Sequence, residues 1–125
     1  MLSISISLVE PTEPPCKCTR HIPVGVADGR IPDKNMRSTS VKVNIHGKDY
    51  TGPSQARLNN KPSSEGAGAW VPNDIEGCLE VHFNKMEHLK EMRTQGHPTK
   101  NMYARGYFIF YSKDGKDFST LVRVS

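Results

Sequence analysis

Asp74, Glu76, Glu80, His82 and Glu87 lie close together in the chain. Two carboxylates beside a histidine are the minimum equipment for general acid–base work. Glu80 and His82, however, alternate with Leu79, Val81 and Phe83. That period of two places them on the wet face of a strand instead of converging them on a cleft. No nucleophile accompanies them. Ser63-Ser64 lacks a glycine elbow, Cys78 has no histidine at a defined spacing, and neither a phosphate-cradling glycine loop nor a dinucleotide fingerprint occurs. The pattern argues against an enzyme.

Metal chemistry fares no better. Cys16 and Cys18 flank Lys17, but a structural zinc site needs two such pairs, or one pair with spaced histidines. His21, His46, His82, His88 and His97 show no such spacing, so no metal and no other cofactor is expected. Three cysteines leave at least one thiol unpaired, or paired outside the chain, in an oxidising compartment. Spacing alone leaves the pairing of Cys16, Cys18 and Cys78 open.

What remains is binding chemistry in polar loops. His46-Gly47-Lys48-Asp49-Tyr50-Thr51-Gly52-Pro53 and Gly96-His97-Pro98-Thr99-Lys100-Asn101 are turn regions rich in donors and acceptors. The net charge of +4 comes from 17 basic and 13 acidic residues scattered along the chain. No run of like charge forms a nucleic-acid arm. A mild positive balance favours anionic surfaces. No stretch approaches the ~20 apolar residues of a membrane span. Met1 to Val9 is mildly apolar but interleaved with serine and has no basic lead-in, which makes it a poor signal peptide.

The elements that must position these loops read as strands and turns. At 125 residues, with 10 Gly and 9 Pro, the chain has the size of one domain built from short strands. Residues 1–20, with Pro11, Pro14 and Pro15, read as a loose lead-in to a domain over residues 21–125. Val41, Val43 and Ile45 alternate with polar residues as a strand; so do Leu79, Val81 and Phe83. His88 to Thr94 fits a helix by spacing. Tyr107 to Tyr111 is apolar on both faces and so central. Lys113-Asp114-Gly115-Lys116 is a hairpin turn, and Leu121, Val122 and Val124 begin a last strand with nothing left to pair it. Trp70, the single tryptophan, is the expected core anchor, packed on the Leu79 strand. Arg57 is expected to be partly buried against Asp74, Glu76 or Glu80, and Arg30 to pair with Asp33 across a turn.

The stretch around Trp70 resembles the discoidin, or coagulation-factor 5/8 type C, domain. The matching pieces are Ala56-Arg57-Leu58-Asn59, Gly68-Ala69-Trp70 and Leu79-Glu80-Val81-His82-Phe83. Gly25-Val26-Ala27-Asp28-Gly29-Arg30-Ile31-Pro32-Asp33 looks like the family's opening motif. Thr94-Gln95-Gly96 and Tyr107 to Lys116 look like two later ones. The resemblance implies an all-β, galactose-binding-like jelly-roll β-sandwich, with a strand at His88 to Thr94. It also implies a fold short of its last strands, since the family's closing cysteine, which pairs with one ahead of the Gly25 motif, has no counterpart here.

The resemblance further implies that hairpin loops at one end of the sandwich carry binding. It points to His46, Lys48, Asp49, Tyr50, His97, Lys100 and Asn101 as the ligand-binding set, with a sugar ring stacked on Tyr50 or an acidic group held by the lysines. The function implied is a non-catalytic, lectin-like cell-adhesion module, extracellular or at the cell surface, recognising a glycan or protein. The loop tips show no Trp, Leu or Phe, which sets anionic phospholipid second as a partner. The same resemblance is compatible with a carbohydrate-targeting appendage of a longer enzyme, or with an inactive fragment.

Overall fold

The computed structural model describes residues 2–7 and 22–124. Cys16, Cys18, His21 and the expected domain boundary near residue 20 lie outside the described residues. Among the described residues five strands form one mixed sheet: β1 (Leu2–Ser7), β2 (Met36–Ser38), β3 (Cys78–Val81), β4 (Tyr107–Ser112) and β5 (Ser119–Val124), in the order β2-β3-β1-β4-β5. The outer pairs, β2–β3 and β4–β5, are antiparallel, whereas β1 runs parallel to both β3 and β4. Short 3-10 turns at Asp33–Asn35, Lys48–Thr51 and Pro53–Gln55 complete the regular structure, and no α-helix occurs among the described residues.

Side-chain alternation puts the core on one face of the sheet. Along β3, Leu79 and Val81 are buried while Cys78 and Glu80 are half-exposed. Met36 stands opposite Val81 and is also buried. Ile109 lies at the register of Leu79, one strand beyond the intervening β1, and is buried with Phe83, Leu89, Met92, Tyr107 and Tyr111 against it. Each such aliphatic side chain contributes about 1.5–3 kcal/mol when fully withdrawn from water. Trp70 is buried too, and its indole N–H donates to the Ser40 carbonyl at 3.1 Å, which satisfies its polar end.

Several expectations need correction. Leu2–Ser7, read as part of a loose lead-in, is a strand between β3 and β4; the Leu-Ser-Ile-Ser-Ile-Ser alternation is a strand period. Val41 to Ile45 is not a strand: Asn44 Oδ1 caps the His46 N–H and turns the chain, leaving Val43 and Ile45 exposed. The strand falls earlier, at Met36–Ser38. His88 to Thr94 is neither helix nor strand, although Leu89 and Met92 pack on Ile109.

The final strand does have a partner, because β5 pairs with β4 across residues 113–118, with a bulge at Ile109/Phe110. In that connection Gly115 takes a φ of +75°. Asp114 accepts from the Lys116 and Asp117 N–H groups and from the Ser112 hydroxyl, which together lower its pKa to about 2. Arg57 pairs with Asp33, at 2.6 Å, and donates to the carbonyls of Val26 and Ile31. Arg30 bonds Asp28 instead of Asp33. Gly25, at φ +106°, lies so close to Arg30 that a Cβ there would sit 2.6 Å from the arginine Cβ, so the opening motif needs glycine at this position.

Candidate functional site: a cationic cleft between two loops

The chain from Lys42 to Thr51 is held at both ends by the segment around Trp70. Lys42 N–H donates to the Val71 carbonyl, Val71 N–H to Thr51, and Ala67 N–H to Tyr50. Thr51 is buried, and its hydroxyl donates to the Lys42 carbonyl at 2.8 Å, closing the set. These bonds fix a loop that has no sheet ladder of its own.

The second loop is built around its histidine. His97 Nδ1 accepts from the N–H groups of Thr99 and Lys100, each at 3.2 Å. The neutral ring therefore carries its proton on Nε2. His97 N–H donates to the Met102 carbonyl, and Met102 N–H to Lys100. Burial, followed by the nearby Lys100 charge, lowers the His97 pKa, which keeps Nδ1 free to accept.

Gly68 brings the loops together. Its φ is +79°, and a Cβ there would fall 2.9 Å from the Lys61 carbonyl carbon and 3.0 Å from Pro98 Cγ. Only a residue without a side chain lets residues 61–62 and Pro98 close over the Trp70 segment.

Between the loops lies a cleft of about 340 Å³, within the range of small-ligand sites. Its polar wall is formed by Lys42, Asn44, His46, Tyr50, Thr51, His97, Thr99 and Lys100, and among the described residues no carboxylate lines it. Neither lysine is in an ion pair among the described residues. A broader hollow of about 1170 Å³ has the buried side chains of Met36, Trp70, Leu79, Val81 and Ile109 in its wall, which makes it the core side of the sheet.

Of the residues expected to bind, His46, Tyr50, His97 and Lys100 line this cleft together. Asp49 and Asn101 are exposed and do not line it. Lys48 begins the 3-10 turn, and its side chain lies outside the described residues. One face of Tyr50 is covered by His46, with ring centroids 4.4 Å apart and 28° between planes. A sugar ring would have the other face alone. Thr51 and Thr99 lie in the loops read as polar turns but were not assigned to the binding set, whereas Lys42 and Asn44 escaped the sequence reading because Val41 to Ile45 looked like a strand with its polar residues facing solvent. The apolar tip was missed for the same reason. Ile45, between cleft residues Asn44 and His46, is 97% exposed, and Val43 is 69% exposed.

The acid–base cluster does not assemble. Glu80 and His82 meet side by side at 2.6 Å at the end of β3, while Asp74 accepts from the Glu76 N–H in a local turn and both carboxylates are exposed. Cys78 is a free thiol, and no group of three metal-ligating side chains forms among the described residues. No helix among them is long and apolar enough to cross a membrane.

The F5/8 type C domain profile matches residues 33–124. Hemocytin of Bombyx mori is 31% identical over 110 residues, covering 86% of this chain and 3% of that protein. Coagulation factor V of Mus musculus is 36% identical over 97 residues, covering 74% of this chain and 4% of its own length. Human coagulation factor V is 31% identical over 100 residues, again 4% of its length. The chain thus spans a small fraction of the curated relatives it matches. No solved structure matches it.

Proposed function

The chain belongs to the F5/8 type C, or discoidin, domain family, whose fold is the all-β jelly-roll sandwich, and from that premise we propose that it is a non-catalytic extracellular binding module. It holds an anionic group, of an acidic glycan or an acidic protein, in the cleft between residues 42–51 and 97–102. One observation carries this reading: among the described residues, two lysines outside any ion pair and two histidines line a cleft to which no carboxylate contributes. An anion entering such a site gains charge-assisted hydrogen bonds without displacing an internal partner. The ring pair His46–Tyr50 supplies a flat wall against which a sugar can lie on the tyrosine face that His46 does not cover.

The exposed Ile45 and Val43 beside the cleft support a second reading, an anionic phospholipid surface with Ile45 entering the interface. The two readings separate in one experiment. Binding of the chain to sulfated glycans, to neutral glycans and to phosphatidylserine vesicles is compared for the wild type, Lys42→Ala/Lys100→Ala and Ile45→Ser. The glycan or acidic-protein reading expects loss with the lysine pair and indifference to Ile45→Ser. The membrane reading expects vesicle binding that both changes weaken. Binding of neutral glycans equal to sulfated ones, unchanged by the lysine pair, would refute the anion site.

A further inference from the structure

The strand order contains an irregularity that the cleft does not explain. β2, β3, β4 and β5 all lie inside residues 33–124, the span that matches the family. β1 lies outside it, yet sits between β3 and β4, which do not pair with each other. β1 bonds on both edges, Ser3 to Ile6 against Cys78 to Val81 and Leu2 to Ser7 against Tyr107 to Ser112. The family-matched sheet is therefore two antiparallel ribbons, β2–β3 and β4–β5, separated by a slot one strand wide.

We propose that this slot is an exchangeable strand site and that it accepts residues 2–7 from a second copy of the chain, giving a strand-swapped dimer. Three observations support it. The slot presents two backbone edges, so an extended segment entering it satisfies N–H and C=O groups on both sides. The stretch from Ser7 to Ile22 can extend to roughly 50 Å, far enough to reach a neighbouring copy. Every ladder bond of the monomer reappears in the swapped dimer, so exchange forfeits no pairing.

Sedimentation velocity on the full chain, from about 1 µM up to the millimolar range where tethered and free strands compete, should show a dimer that grows with concentration. Ile4→Pro removes a backbone donor from β1 and should lower the dimer fraction at least tenfold. A trap that does not depend on that variant folding uses full-length Ser5→Cys chains mixed with full-length Glu80→Cys chains, because Ser5 and Glu80 are register partners. After oxidation, peptide mapping should find a disulfide joining positions 5 and 80 of different chains. A chain that stays monomeric throughout, a mixture with no such link, or a dimer that survives Ile4→Pro by pairing along the exposed edge of β5 would each overturn the proposal.

Discussion

The loop end and the sheet end of this domain are fixed by different means. At the loop end, residues 42–51, 61–71 and 97–102 hold together through single backbone bonds, a buried threonine hydroxyl, a histidine acceptor and one glycine of positive φ. At the sheet end, order comes from ladders and from a row of buried side chains, Met36, Leu79, Val81 and Ile109. The outermost strand there, β5, is exposed along its length, with Leu121 at 56%. The element with the most regular structure is thus among the least buried, and the least regular segment around Trp70 is among the most buried. Rigidity here follows burial and satisfied polar groups more than secondary structure.

The strongest way to break this contrast is at the junction of the two ends. Trp70→Ala should cost about 3–5 kcal/mol, because it leaves a cavity and strands the Ser40 carbonyl; denaturant melts measure it, and a solvated indole emission from the folded protein would contradict it. Gly68→Ala should cost about 1–3 kcal/mol from the positive φ alone, with the clash against Lys61 and Pro98 added. Because it parts the two loops, it should also weaken anion binding, whereas Leu121→Ser on β5 should lower stability by less than about 1 kcal/mol and leave binding intact.

Acid sharpens the comparison further. Asp114, held near a pKa of about 2, contributes stability that is complete above the ordinary carboxylate value and is lost as pH falls toward 2. The β4–β5 turn should therefore loosen below pH ~4, read as amide exchange at residues 112–117, and Asp114→Asn should remove that dependence. His97 also has a lowered pKa, so its contribution is present above the ordinary histidine value and declines as pH falls below it. The 97–102 loop should lose order on mild acidification while the sheet does not, a difference that backbone chemical shifts resolve.

Much of this fold was legible. Trp70, the alternation of β3, the central β4 and the Asp114-Gly115 turn follow from period and turn chemistry, since each is decided by local residues. The family motifs pointed to the all-β fold and to four of the eight polar residues that line the cleft among the described residues. What was not legible depended on neighbours distant in sequence. Val41 to Ile45 has a strand's alternation, but the Asn44 side chain caps the following turn and the chain leaves the sheet. Gly66 to Gly68 are buried, and the glycines are there for close approach to residues that the sequence does not place beside them. Arg57 was expected to need a carboxylate, but three candidates downstream concealed Asp33 upstream. The Leu2–Ser7 alternation was visible, and only the parallel slot that receives it was not.

The binding proposed for this domain turns on the charge of the cleft. Titration of a sulfated oligosaccharide, followed by amide shifts at several salt concentrations, tests that directly. The predicted result is shifts confined to residues 42–51, 67–71 and 97–102, with affinity falling as salt rises past the point where screening lengths reach about 8–10 Å, and with Lys42→Ala/Lys100→Ala flattening that dependence. Shifts that map to the hollow beneath Trp70 or to β5, or an affinity indifferent to both salt and the two lysines, would contradict it.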